Sequence, residues 1–548
     1  MAHALAGKPV QEQDIIDVQT IVDAYFDNVP DMTNPTQLVS FGTSGHRGTS
    51  VDGTFTDLHV AAITQAICDG RKQFGATGPI FVGQDTHALS QPALVTVLEV
   101  LAGNGVTAMV DCDMAFVPTP SVSRAIIRYN EEHDDKADGI IITPSHNPPD
   151  NGGIKYNTII GGPADTVVTK WVEMRANEYL TAYCESEDFK RISIDNIEPT
   201  AQVPYDYKGL YVEELGDVIN MEAIKAAGPK VLVDTLGGSG ASYWNAIKER
   251  YGLDLTIIHD DYDPTFSFMT YDHDGKVRMD CSSTYVMASV INRIGDFDLA
   301  VGNDPDYDRY GIVVSSGLIS ANTFLTLAAR YLFTTRGWKN KGVGKTVVCT
   351  TMIDKWAADA EIPVFEVPVG FKYFSQLLFD GAIGIGGEES AGASFLKKDG
   401  TVWTTDKDGM IMALLSMEIM AVMGKSALKM ADESLEEFGN PSFGRIDAPC
   451  KKEQKQILKQ MSAELITATT VDGDPITNIR TTSLYNDMPI DGVHVETDKG
   501  WFVARPSGTE DLYKIYGESY KGDLGLVALL TAGEEIVNAA LNGTIETE

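Results

Sequence analysis

Cysteine is scarce in this sequence. Six are spread over 548 residues, at Cys68, Cys112, Cys184, Cys281, Cys349 and Cys450, with no C-x-x-C pair. This spacing argues against a disulfide framework and predicts reduced, mostly packed thiols in a cytoplasmic protein. Positive charge is also in short supply, with 43 Lys and Arg against 78 Asp and Glu and a net charge of −35. Such a field repels nucleic acid and anionic lipid, so partners of either kind are not expected. It repels an anionic substrate too, so a phosphorylated ligand would need a local cluster of Arg and Lys. Apolar runs are short as well: the longest, Met410 to Met423, is interrupted by Glu418 and falls short of the roughly 20 residues that span a bilayer. It is expected to be a buried helix. The opening MAHALAGKPVQEQD has neither a basic leader nor an apolar segment, so export by a signal peptide is not expected.

Apolar residues make up 43% and charged residues 22%, which places the chain among folded globular proteins. Its length suggests three or four domains. Short β-rich runs ending in Gly, Asp or Pro alternate with helical-period segments: PIFVGQD (79–85), DGIIITP (138–144), KVLVDTLGG (230–238), FDLAVGND (297–304) and KTVVCTT (345–351). That alternation predicts α/β domains with mixed, largely parallel sheets, followed by a smaller C-terminal α+β unit. Boundaries are expected near 205, 318 and 435, giving domains 1–205, 206–318, 319–435 and 436–548, with ADESLEEFGNPS read as an acidic linker. In open α/β sheets ligands gather beyond the carboxyl ends of strands, so the loops there are where chemistry is sought.

The most informative loop is TPSHNPPDNGGIKYN (143–157), after the strand expected at Gly139–Ile142. Pro144, Pro148 and Pro149 keep a helix from starting, which leaves Ser145 in an extended, exposed position. His146 and Lys155 offer a proton acceptor and a cation to a hydroxyl nucleophile. Next, NDPDYDR (303–309) follows the strand Leu299–Gly302. Asp304, Asp306 and Asp308, at alternate positions, can converge on a hard divalent cation. An EF-hand is excluded because Arg309 and Ser315 stand where glycine and a carboxylate are needed. A phospho-aspartate enzyme with Asp304 as nucleophile stays open.

Three further loops carry weaker signals. GGEESAG (386–392) places Glu388 and Ser390 where they can bond neighbouring sugar hydroxyls. ARPSGTE (504–510), after the strand Trp501–Val503, is an anion cradle built from Arg505, Ser507, Gly508 and Thr509. FGTSGHRG (41–48) has similar chemistry. Gly344-Lys345-Thr346 is not a P-loop, since Lys339 stands where its first glycine is required and a strand is expected after it. Gly237–Gly240 lacks the dinucleotide spacing and reads as a tight turn.

Taken in order, FGTSGHRG, TPSHNPPDNGGIKYN, NDPDYDR, VPVGFKY, GGEESAG, TDKDG and RPSGTED closely resemble the motif series of the α-D-phosphohexomutase superfamily, and within it the bacterial phosphoglucomutases. The resemblance covers essentially the whole chain. It implies three related α/β domains and a smaller C-terminal domain around a central cleft, and interconversion of glucose 1-phosphate and glucose 6-phosphate. It further implies Ser145 as a phosphoserine, Mg²⁺ held by Ser145, Asp304, Asp306 and Asp308, and glucose 1,6-bisphosphate as activator and intermediate. By motif position Lys155 and His146 would handle the proton, and Arg47 would help hold the transferring group. Glu388, Ser390, Lys372 and Arg309 would bind substrate, while Arg505, Ser507, Gly508 and Thr509 would grip its second phosphate. Phosphomannomutase and phosphoglucosamine mutase share this architecture; the E-E-S form of the sugar loop favours glucose. A non-catalytic sugar-phosphate-binding protein is the alternative of another class. Hexose phosphates are the expected partners, of a monomer or homodimer whose last domain closes about a hinge near 435. In GQDTH (83–87), Gln84 and His87 stand where the family often has an arginine, and no role is carried onto them.

Overall fold

The computed structural model describes residues 3–42, 45–183, 189–506 and 512–545. The chain forms two compact units, Met1–Ser320 with Ser375–Gly381 and Ser390–Leu428, and Ala321–Phe374 with Ala382–Glu389 and Lys429–Glu548.

The first unit holds two α/β layers. Its six-stranded sheet runs in the order His46–Thr49, Asn151–Asn157, Asp138–Ile142, Ile80–Gln84, Ala108–Asp111 and Gln202–Tyr205. The last four strands are parallel and the first two antiparallel. Every residue of Ile80–Gln84 and of Asp138–Ile142 is buried. Both faces of these strands are therefore covered, which is why their runs are continuously apolar and do not alternate. The helices Asp57–Gly70 and Ser90–Gly103 contribute Ile63, Ile67, Val97 and Leu101 to the core on one side. In the five-stranded sheet, Leu299–Asn303, Val231–Asp234 and Leu255–Ile258 are parallel, and Tyr310–Val314 returns antiparallel beside Leu299–Asn303. The aspartate-bearing loop joins that last pair, at the end of a central strand. The apolar stretch expected to be a buried helix forms Gly409–Met423, buried from Gly409 to Ile419 and capped by the Asp408 side chain. Glu418 is buried with it and accepts from the Asn220 amide at 2.7 Å.

In the second unit Gly342–Thr346 lies between Val364–Val367 and Ile383–Gly387, all parallel. A curled antiparallel sheet of six strands follows, in the order Ser442–Pro449, Leu512–Ser519, Gly500–Pro506, Pro489–Thr497, Asp474–Thr482 and Thr470–Val471. The stretch Gly522–Asn542 is long and apolar enough to cross a membrane. It packs on this sheet, with Leu529, Leu530, Val537 and Leu541 in the core, as a sheet-covering helix does. No disulfide joins the cysteines among the described residues.

Three local expectations change. KTVVCTT is not the strand: the strand is Gly342–Thr346, so Gly344-Lys345-Thr346 lies inside it. Glycines are needed there because a Cβ at Gly342 would sit 2.2 Å from the Phe365 ring. Val347 and Val348 owe their apolar character to packing against Ile490, Trp501 and Val503. The acidic linker is also overturned, since Ala427–Phe438 is a helix that buries Met430, Ala431, Ser434 and Phe438 on one face beneath its carboxylates. Finally, Arg505 belongs to the strand Gly500–Pro506, opposite Lys514, and not to a loop after Val503.

Candidate active site

Ser145 follows the strand Asp138–Ile142 with φ +62°, a left-handed conformation that a serine adopts only when its surroundings impose it. It is not exposed as its proline-rich loop suggests: 1% of its surface is accessible. Its Oγ donates to Asp304 Oδ2 at 3.0 Å and lies 3.3 Å from His146 Nδ1. Asp304, Asp306 and Asp308 are all fully buried, each offering a ligand oxygen within 4.8 Å of the others. Burial, together with Asp306 and Asp308, pushes the Asp304 carboxyl well above the usual carboxylate range.

Cations converge on the trio. Lys155, at the centre of the strand Asn151–Asn157, donates to Asp306 Oδ2 at 2.6 Å and Asp308 Oδ2 at 3.0 Å. Although burial opposes it, the attraction of Lys155, Lys407 and Arg309 holds Asp308 well below the usual range. Arg47 lies on the strand His46–Thr49, where burial lowers its pKa and Asp306 and Asp308 oppose that lowering. His146 is held well below the ordinary imidazole range by burial and by Arg309. Asp306 Oδ1 and Asp308 Oδ1 are buried and accept no hydrogen bond among the described residues. Two orphaned carboxylate oxygens beside a third carboxylate are the donor set of a hard divalent ion, so the residues fit such an ion.

Two contributors were missed in the motifs. Lys407 places its Nζ 2.8 Å from Asp308 Oδ2. Thr119 donates from its backbone to Asp306 O at 2.9 Å and from Oγ1 to Asp306 Oδ2 at 2.7 Å. Lys407 lies in the TDKDG motif and was legible there as a buried cation between acids; Thr119, in a plain Pro-Thr-Pro, gave no signal.

Tyr307 explains the glycine run at 237–240. It stands at φ +62° in the aspartate loop with a fully buried ring, and a Cβ at Gly240 would meet that ring at 2.4 Å. Ser239 adds two bonds to Pro305 O, from its amide and its Oγ, both at 2.8 Å. The run is thus a seat for the metal loop as well as a turn. Gly240→Ala should cost about 1–3 kcal/mol through overpacking, read as a lowered first thermal transition with divalent affinity weakened in parallel.

Comparison with known proteins decides the family. Three family models match: Phosphoglucomutase/phosphomannomutase alpha/beta/alpha domain I over residues 38–182, domain II over 210–317 and domain III over 320–438. The phosphoglucomutase of Komagataeibacter xylinus is 47% identical over 539 residues, covering 97% of each chain. This chain belongs to the phosphoglucomutase/phosphomannomutase family. It is accordingly an isomerase of the intramolecular phosphotransferase kind. Yeast phosphoglucomutase 1 is 26% identical over 88% of each chain, and a probable phosphoglucosamine mutase of Pyrococcus furiosus is 24% identical. The fold is shared with the parafusin of Paramecium, with TM-score 0.72, 20% identity and coverage of 94% of this chain and 96% of that one. A putative phosphomannomutase from Thermus thermophilus gives TM-score 0.71 at 23% identity, covering 91% of this chain and 99% of that one. The phosphoglucomutase at 47% identity over 97% of both chains supports phosphoglucomutase activity and does not favour the phosphomannomutase, phosphoglucosamine mutase or non-catalytic readings.

Ser145, His146, Lys155, Arg47, Arg309 and the three aspartates of this family member all lie in the first unit. So does Ser390, in the loop where Ala391 O accepts from the Tyr310 amide at 3.1 Å. Lys372, Glu388 and Arg505 lie in the second unit. Lys372 opens the helix Lys372–Phe379, Glu388 is buried directly after Ile383–Gly387, and Arg505 is partly buried on its strand. Ser507, Gly508 and Thr509 lie outside the described residues, as do Thr43 and Ser44.

Proposed function

We propose that this chain interconverts α-D-glucose 1-phosphate and glucose 6-phosphate with phosphorylated Ser145 as the phosphoryl carrier. A sugar hydroxyl attacks the phosphoserine phosphorus; the new P–O bond forms as the bond to Ser145 Oγ breaks, and the hydroxyl proton passes to a protein base. Glucose 1,6-bisphosphate results, turns over, and returns its other phosphoryl group to Ser145. The observation that carries this reading is the contact between Ser145 Oγ and Asp304, 3.0 Å apart within a buried carboxylate trio. Three carboxylates and a phosphate amount to about five negative charges at one point, more than a buried site holds without a counter-ion. Mg²⁺ held by Ser145, Asp304, Asp306 and Asp308 would supply that neutralisation when bound.

The 3.3 Å between His146 Nδ1 and Ser145 Oγ supports His146 as a group that exchanges a proton there. Lys155 and Arg47 draw the transferring group toward the aspartates. Glu388, Ser390, Lys372 and Arg309 are assigned to the sugar and its environment. Arg505, Ser507, Gly508 and Thr509 are assigned to the phosphate that stays in place. Four domains bounded near 205, 318 and 435, a cytoplasmic location and a monomer or homodimer complete the reading.

The test is a coupled assay of glucose 6-phosphate formation with Mg²⁺ and a trace of the bisphosphate. Glucose 1-phosphate should be consumed faster than mannose 1-phosphate or glucosamine 1-phosphate. A reversed order would move the chain to another branch of the family, and binding of all three without turnover would overturn the mutase reading.

A further inference from the structure

The loop carrying Ser145 is gripped from below by a buried pair that the motif series leaves without a role. Asp85 is fully buried at the end of the strand Ile80–Gln84. Its carboxylate accepts from Ser90 Oγ at 2.6 Å, from the His87 amide at 3.0 Å and from His87 Nδ1 at 2.8 Å. A fourth donor, Thr143 Oγ1, reaches it at 2.6 Å, and the same hydroxyl accepts from the Ser145 amide at 2.7 Å. On the far side of the serine, His87 Nε2 lies 3.1 Å from Asn147 O. Both ring nitrogens of His87 face acceptors, so the ring carries both protons and donates at each end. Phe266 packs on that ring with 5.0 Å between centroids.

Thr143 and Asn147 stand two residues before and two after Ser145. Contacts on both flanks pin a residue whose left-handed backbone would otherwise relax to a commoner region. Relaxation would turn Oγ away from Asp304, because the amide held by Thr143 and the side chain share one Cα.

We propose that Asp85 and His87 are positioning residues for phosphoryl transfer: through Thr143 and Asn147 they hold Ser145 in the conformation that presents its oxygen to the aspartate trio. This rests on Ser145 being the phosphoryl carrier. The hydrogen bonds of the pair run to Ser90, Thr143 and Asn147 and not to the aspartate trio, so its loss should appear in kcat and not in substrate affinity.

The experiment compares Thr143→Val, Thr143→Ser, His87→Ala and His87→Gln with wild type for kcat and KM on glucose 1-phosphate at saturating Mg²⁺ and bisphosphate. Circular dichroism checks folding. Thr143→Val, which keeps the shape and removes the hydroxyl, should lower kcat by about 10²-fold, the cost of a misplacement near 1 Å. KM should stay within about threefold. Thr143→Ser restores the hydroxyl and should recover most of the rate. His87→Gln, whose amide can still donate toward Asn147 O, should exceed His87→Ala. A folded Thr143→Val with wild-type kcat, a loss confined to KM, or a His87→Gln no better than His87→Ala would each overturn the proposal. The two readings fail separately: an active Ser145→Ala defeats the phosphoserine, whereas an inactive Ser145→Ala beside a fully active Thr143→Val defeats only the clamp.

Discussion

Ser145→Ala should lower turnover of glucose 1-phosphate by about 10⁴-fold or more while leaving the protein folded. The side chain is small, with its Oγ bonded to Asp304 at 3.0 Å and 3.3 Å from His146 Nδ1, so its removal creates little cavity. The whole covalent route disappears with the oxygen that carries the phosphoryl group. Enzyme incubated with labelled bisphosphate should hold acid-stable label in the wild type and none in Ser145→Ala. Acid-labile label on the peptide containing Asp304 would transfer the carrier role to that carboxylate. Ser145→Thr gives a second reading from the backbone. A β-branched residue is strongly disfavoured at φ +62°, so threonine keeps the hydroxyl but loses its placement. It should fall well below wild type, by about 10²-fold, and equal rates for the two would show that the left-handed conformation is irrelevant to transfer.

Much of this site was legible because its chemistry is written in contiguous motifs. Aspartates at 304, 306 and 308 announce a cation site by spacing alone, and the structure places their oxygens within reach of one ion. Proline punctuation at 144, 148 and 149 correctly denied a helix to Ser145, but it could not reveal that the loop is buried. That depends on Asp304, 159 residues away in sequence. The other gaps are of the same kind. Thr119 reaches Asp306 across 187 residues, and Gly240 matters only because the Tyr307 ring lies on it. Such contacts are set by topology, and one sequence holds no record of which strand ends become neighbours. Local composition misled where tertiary packing overrode it. The acidic ADESLEEF reads as a linker until its apolar positions are counted on one helical face. The valines after Lys345 read as a strand although they serve a different layer.

Removing the divalent ion should abolish turnover as fully as removing the serine, but reversibly. Without it, Asp304, Asp306 and Asp308 crowd one buried point, and Lys155, Lys407, Arg309 and Arg47 offset them in part. Adding the phosphate of Ser145 there raises the repulsion further. Chelation should therefore stop catalysis, and Mg²⁺ should restore it. The ion binds the folded trio and not the unfolded chain, so it should also stabilise the first unit, by about 2.7 kcal/mol at 100 times its dissociation constant. Carboxylates must be deprotonated to ligate, and Asp304 is held above its usual range, so this increment should shrink as pH falls. Asp308→Asn separates charge from packing. It keeps the side-chain shape but removes one ligand charge and the partner of Lys155 and Lys407, leaving two buried ammonium groups less compensated. Turnover should drop by about 10³-fold and the melting increment from Mg²⁺ should nearly vanish. Full activity in Asp308→Asn, or a chelated enzyme that still turns over, would remove the carboxylate trio from the reaction.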